Sequence, residues 1–379
     1  MKKEKTTCPP EPTYFIEGVG EVLLTELLER EPIEVNCEEI RGFLEGKRIF
    51  VSGGAGSVGS ETVRQLLNFS PERVVVFDVD ETELYYLWRN LKNELEREEQ
   101  LEIVVGDIRD YDKLEDVFSS ERPQLVFHAA AYKHVPLMEK FPDEAVKTNI
   151  MGTYNLIRVS DGFGVEKFIN VSTDKACNPK SMMGATKRMT ELMCRAFNEL
   201  SPTAFISVRF ANVFGSRGSV VPIFIEQIKR GGPITITHPE AQRSFMAITE
   251  AVLLIFQAAA FGKGGEIFGL DMGQPIKIVE LARRLAALFN LELGKDIEVV
   301  FTGLRPGERL TERPFKEEDN ACPTGYKGIF VAEGEAELPF DEVEEMLEEF
   351  KRALKLRNRE LVRALLRKCI ELQETACSF

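Results

Sequence analysis

Residues 48–59 read RIFVSGGAGSVG. Arg48 to Ser52 is a short β-branched and aromatic run that stops at glycines, and Glu61 to Phe69 has helical spacing. The stretch therefore predicts strand, tight turn, helix. It holds both Gly53-x-x-Gly56-x-x-Gly59 and Gly54-x-Gly56-x-x-Gly59. Between a strand and a helix, such a turn lets the backbone approach a pyrophosphate while the helix N-terminus faces it. Gly53, Gly56, Ser57, Val58 and Gly59 are the expected contacts of a dinucleotide. A purely structural glycine turn is the alternative.

Working outward, the same rhythm continues. Arg73 to Val79, Leu101 to Val105, Gln124 to Ala130, Lys167 to Val171 and Phe205 to Arg209 read as strands. Several are apolar without alternation, as strands covered on both faces are. Leu84 to Glu99 and Tyr111 to Ser119 read as helices between them. Strands alternating with helices predict an α/β fold, a doubly wound parallel sheet of Rossmann type, with a smaller C-terminal substrate lobe. The expected division is an N-terminal extension with short helices (1–46), a dinucleotide-binding domain (47–209, with 248–271 returning to it), a substrate lobe (210–334) and a C-terminal helical segment (335–379). Within the extension, Val22 to Arg30 and Cys37 to Leu44 read as two short helices.

Asp78 ends the second strand, where a carboxylate accepts hydrogen bonds from an adenosine ribose 2′-OH and repels a 2′-phosphate. No Arg or Lys follows it in VFDVDETELYY, so NAD is the expected cofactor rather than NADP. Asp107 and Ile108, after the third strand, are placed to meet the adenine. Forty-eight Lys and Arg against 62 Asp and Glu leave a net charge of −14, which argues against nonspecific nucleic-acid binding. The longest apolar stretch, 247–262, is too short to span a membrane and carries Glu250 and Gln257. The expectation is a cytoplasmic protein with no membrane span. Seven scattered cysteines read as reduced thiols, and three scattered histidines exclude a metal cluster.

The strings SGGAGSVGSE, GDIRD, HAAAYKHVPLME, KTNIMGTYN, STDKACNP and MMGATKR together resemble the extended short-chain dehydrogenase/reductase superfamily. Within it, the chain is similar to the nucleotide-sugar 4,6-dehydratases of polysaccharide biosynthesis, the CapD-like group, from about Val22 to the C-terminus. That resemblance implies a lyase acting on UDP-N-acetylglucosamine or a related UDP-sugar, with NAD as cofactor. It also implies a homo-oligomer assembled through helices near Lys187. Many members carry N-terminal membrane helices, and residues 22–44 look like the linker that follows them. The superfamily's Tyr-x-x-x-Lys is here Met183-Gly184-Ala185-Thr186-Lys187, a departure known in some of these dehydratases. A thioether cannot take a hydroxyl proton, so Met183 is expected to line the substrate site without acid–base work.

The chemistry implied is oxidation at C4, which acidifies the C5 proton, then loss of the C6 hydroxyl and return of the hydride to C6. By resemblance, Thr173 binds the C4 hydroxyl, Asp174 is the acid and Lys175 the base. Burial would have to raise the Asp174 pKa and lower that of Lys175. Lys187 is expected to hold the nicotinamide ribose and to assist at C4. Ala129 and Ala131 let the cofactor lie close to the backbone, with His134 near it and Lys133 toward the substrate. In the second lobe, Asn212, Val220, Val221, Pro222 and Phe224 resemble the family's substrate contacts. Arg243 and Arg305 match its phosphate contacts, and Glu308 suits ribose hydroxyls. Alternatives are a C5-inverting dehydratase, a nucleotide-sugar 4-epimerase, or a catalytically inactive nucleotide-binding scaffold.

Overall fold

The computed structural model describes residues 12–31, 33–93, 95, 97–312, 321–332 and 337–375. Nine strands form one sheet: β1 (Arg48–Ser52), β2 (Arg73–Asp78), β3 (Leu101–Val105), β4 (Leu125–His128), β5 (Lys167–Val171), β6 (Ala204–Arg209), β7 (Ile267–Leu270), β8 (Ala321–Pro323) and β9 (Ile329–Ala332). Their spatial order is β8-β9-β7-β6-β5-β4-β1-β2-β3. Pairing is parallel from β3 through β7, and only the β7–β9 and β9–β8 pairs are antiparallel. The expected doubly wound parallel sheet is therefore present. The order reverses at β1, flanked by β2 and β4, and a crevice at such a reversal is where open α/β sheets take their ligands.

Both faces are covered. Ile49, Phe50 and Val51 on β1 are all fully buried, which explains a strand without polar alternation. One face packs against helices Cys37–Leu44, Ser57–Leu67, Glu81–Leu91 and Ile248–Phe261. The other packs against Tyr111–Glu121, Thr153–Gly162, Met182–Asn198 and the C-terminal pair Phe340–Lys355 and Arg359–Thr375. Helix Ile248–Phe261 and β7 return to the main sheet after the chain has left it. β8 and β9 then extend that sheet at its edge.

The second lobe has its own core, in which Val221, Phe224 and Ile228 of helix Val220–Lys229 meet Leu281 and Leu285 of helix Ile278–Leu288. The N-terminal extension joins this core differently from expectation. Residues from Val22 do not start a helix: Thr13–Ile16 and Gly20–Leu23 form a hairpin, followed by a single helical turn, Leu24–Leu28. Gly18 and Gly20, with φ of 92° and 108°, make the turn of this hairpin. Ile16 is buried in the lobe, and the Tyr14 ring meets Phe214 edge-on at 5.2 Å.

One further expectation changes. Cys37 is disulfide-bonded, whereas Cys177, Cys194, Cys322 and Cys369 form no disulfide. Helix Met182–Asn198, next to the proposed oligomer contact, is already covered by the C-terminal helices of its own chain.

Candidate active site

The glycine turn after β1 is closed to side chains. A Cβ on Gly59 would lie 2.0 Å from the Gly53 carbonyl oxygen, and one on Gly54 would lie 2.3 Å from Val76 Cγ1. Gly53 has φ of 67°, and a Cβ there would lie 2.5 Å from the Ala130 nitrogen. The turn thus lies against residues 129–130, the small segment after β4. Gly56 caps helix Ser57–Leu67 without a side chain, leaving its first amides free of side-chain cover. Asp78 braces the turn, its carboxylate accepting from the Ala55 and Asp80 amides, each at 3.0 Å. This cradle of bare backbone fits a dinucleotide pyrophosphate.

The other expected cofactor residues gather around it unevenly. Asp107 accepts three hydrogen bonds from Arg109. Partial burial opposes its charge, but Arg109 outweighs burial and holds its carboxyl below the ordinary value. The Ile108 side chain is buried against Gly152, and its carbonyl accepts from Asn155 Nδ2 at 3.1 Å. Ala129 continues the β4–β1 ladder by donating to the Ser52 carbonyl, and Ala131 follows on the exposed side. His134 faces Gly218. Desolvation, then Lys133 and Arg305, pull its imidazole below the usual histidine range. Lys133 opens to the cleft, where desolvation and the nearby Arg217 lower its ammonium.

Past the end of β5, Thr173, Asp174 and Lys175 form a tight turn. Thr173 Oγ1 donates to Asp174 Oδ1 at 2.9 Å, and Lys175 Nζ lies 3.0 Å from the same oxygen. Asp174 is 1% exposed and its Oδ2 is buried with no hydrogen-bond partner. Burial outweighs the pull of Lys175 and raises its pKa, as an acid requires. Helix Met182–Asn198 presses on this turn at Gly184, where a Cβ would lie 2.4 Å from the Lys175 carbonyl. One turn along, Lys187 is buried, its Nζ 3.4 Å from Asn170 Oδ1 on β5. Burial lowers its pKa to about 8. Met183 packs with Met138 and Ala145.

Lys175 departs from expectation. Burial favours the neutral amine, but Asp174 and Glu312 together overcome it and raise the pKa above the ordinary lysine value. Glu312 Oε2 lies 2.5 Å from Lys175 Nζ and 3.3 Å from Arg243 Nε. Sequence reading missed Glu312. The signal was there in RPGERLTE, a second carboxylate four residues after Glu308, but only the fold aims it at the turn after β5.

In the second lobe, Arg243 donates to the carbonyls of Gln242, Leu310 and Arg309, and lies 3.7 Å from Glu308. Its fork is spent on fixing the RPGE loop in this state. Glu308 also accepts from Thr237 Oγ1 and from Arg305, which is the exposed cation of the group. Asn212 donates to the Ser244 carbonyl. Val221 and Phe224 point into the lobe core, while Val220 and Pro222 are half-buried at the start of their helix. Asp174, Lys175, Glu312, Arg243 and Glu308 thus form one chain of charges from the β5 turn into the second lobe. Two buried polar sets hold the scaffold. Asn149 bridges both backbone groups of Tyr132 to Thr186, and Glu191 takes Arg209, Arg188 and Ser172. Among the described residues no His, Cys, Asp and Glu group could hold a metal, and no helix is long and apolar enough to cross a membrane.

A strand order that reverses at a side-chain-free glycine turn, with a buried lysine one helix away, is the build of a Rossmann-type extended short-chain dehydrogenase/reductase. Over residues 49–334 the sequence matches the family described as polysaccharide biosynthesis protein, and the chain belongs to that family. It is 43% identical over 294 residues to the probable polysaccharide biosynthesis protein EpsC of Bacillus subtilis, covering 78% of this chain and 49% of that one. It is 42% identical over 316 residues to the capsular polysaccharide biosynthesis protein CapD of Staphylococcus aureus, covering 83% and 53%. The chain therefore spans about half the length of these two relatives. A UDP-N-acetylglucosamine 4,6-dehydratase (inverting) of Campylobacter jejuni is 34% identical over 76% of this chain and 82% of its own. Among solved structures, Pen from Bacillus thuringiensis superposes with a TM-score of 0.71 at 32% identity, covering 76% and 90%. The Thermus thermophilus UDP-glucose 4-epimerase, solved with NAD, superposes with a TM-score of 0.59 at 26% identity, covering 70% and 89%.

Proposed function

We propose that the protein is an NAD-dependent 4,6-dehydratase of UDP-N-acetylglucosamine, forming a UDP-4-keto-6-deoxy-N-acetylhexosamine for polysaccharide or glycan biosynthesis. The observation that carries this reading is the buried, unpartnered Oδ2 of Asp174 beside Lys175 and Thr173. A simple hydride exchange has no use for a dry carboxylic acid there, whereas elimination of water requires one. The substrate class is supported by the Campylobacter relative, and NAD by Asp78 and the glycine cradle.

NAD, when bound, supplies reversible hydride exchange with the sugar; the glycine turn, Asp78 and Lys187 are the residues to hold it. Thr173 positions the C4 hydroxyl. With Met183 offering no phenolate, Lys187 is suited to take the C4 hydroxyl proton, because burial leaves its amine half neutral near pH 8. Lys175 acts as base at C5 from its neutral form, which it reaches by losing a proton to solvent against the pull of Asp174 and Glu312. Asp174 gives its proton to the C6 hydroxyl, which leaves as water. Arg243, Arg305 and Glu308 would receive the nucleotide diphosphate and ribose, with Arg243 exchanging carbonyl partners for phosphate oxygens. Incubation with UDP-N-acetylglucosamine tests this: a product lighter by one water, with a 4-keto group, is expected. A product of unchanged mass would mean an epimerase, and unaltered substrate a scaffold.

A further inference from the structure

We propose that Arg217, carried by the second lobe, belongs to the dinucleotide site and closes over the glycine turn to pair with the cofactor's pyrophosphate. This rests on the cofactor reading above and extends it to a residue that no motif singled out. The Arg217 amide donates to Ser57 Oγ at 3.1 Å across 160 residues of sequence. Ser57 is the first residue of helix Ser57–Leu67, whose amides face the ligand. The Arg217 guanidinium donates to the Ala55 carbonyl and lies 2.7 Å from Glu83. Ala55 is the residue whose amide Asp78 holds, so Arg217 and Asp78 grip the two ends of one residue in the turn. A pyrophosphate seated on this helix N-terminus therefore has Arg217 beside it.

The loop that carries Arg217 is fixed in place. Gly215 and Gly218 flank it with φ of 71° and 68°. A Cβ on Gly215 would lie 2.1 Å from the Tyr14 ring, and one on Gly218 would lie 2.7 Å from His134. The loop is thus wedged between the N-terminal hairpin and the segment after β4. Lys133 brings a second cation toward the same place. Two cations and a helix N-terminus converge where the fold presents bare backbone, and Arg217 is half-exposed, so it moves toward a diphosphate at little desolvation cost.

The test is equilibrium binding of NAD, ADP and adenosine to the wild type, Arg217→Ala and Arg217→Gln, with the wild-type fold verified by circular dichroism. Glutamine keeps a donor for the Ala55 carbonyl but removes the charge. Both variants are expected to weaken NAD and ADP on the order of tenfold or more, as loss of a charge-assisted hydrogen bond does, with adenosine unchanged. NAD affinity equal to wild type in both variants would overturn the proposal. So would an equal loss for adenosine, which would reduce Arg217 to a brace of the turn. A wild type that binds no dinucleotide would defeat the cofactor reading itself, and the Arg217 role with it.

Discussion

Glu312 Oε2 lies 2.5 Å from Lys175 Nζ, so the lysine expected to act as a base is held as a cation by a carboxylate from the other lobe. Burial opposes the charge on Glu312, but Lys175 and Arg243 outweigh it and keep its pKa low. Removing the Glu312 charge withdraws support from the Lys175 ammonium, so its pKa falls. In Glu312→Gln, the limb of the pH–rate profile that rises as Lys175 deprotonates is expected to move to lower pH. Glu312→Asp should restore the wild-type limb. A profile that keeps its position while only thermal stability drops would assign Glu312 a purely structural role.

Asp174 presents the opposite electrostatics, a carboxyl kept neutral by burial. Asp174→Asn is expected to retain UDP and NAD binding and to lose about 10²-fold or more in turnover, the usual consequence of losing a general acid. Normal turnover in this variant would place the acid elsewhere.

On the proposed mechanism Lys187 governs a separate step, oxidation at C4. Its pKa is near 8, and the neutral amine is the active form, so C4 oxidation should rise with pH and level off above about 8. Lys187→Arg stays charged throughout and should lose the step at every pH. Single-turnover absorbance at 340 nm across pH 6–10 checks this, and a rate independent of pH would exclude Lys187 as the proton acceptor.

The glycine turn gives a structural prediction. Gly59→Ala forces a Cβ against the Gly53 carbonyl, where the backbone has no room to yield. Overpacking of this kind costs about 1–3 kcal/mol. The expected result is a lower melting temperature together with loss of NAD binding, whereas Asp78→Ala should keep the fold and narrow the preference for NAD over NADP.

What the sequence revealed and what it hid divide along a physical line. Strands β1 to β6 were legible because burial on both faces removes polar alternation, and the glycine turn because no other residue fits it. Asp174, Lys175 and Lys187 were singled out through local strings, and the fold brings Lys187 one helical turn from the residue packed on the Asp174–Lys175 turn. Glu312 and Arg217 were not singled out, since each makes its contact across lobes, and a spacing such as that of Glu308 and Glu312 does not say where the side chain goes. The direction of the Lys175 shift, opposite to what a base requires, was not visible for the same reason: its second carboxylate partner comes from 137 residues away in the sequence. The helix expected over Val22 to Arg30 is present only as Leu24–Leu28, because Val22 and Leu23 are spent on the hairpin strand that pairs with Thr13–Ile16.

The central claim is that this site removes water between C5 and C6 without consuming its cofactor. The most direct measurement is NMR of UDP-N-acetylglucosamine turned over in deuterium oxide by protein with NAD, with absorbance at 340 nm followed throughout. The account predicts a 4-keto-6-deoxy product carrying one solvent deuterium at C5, many turnovers per NAD, and no net NADH. A product retaining its C6 hydroxyl, or NADH released in step with product, would contradict it.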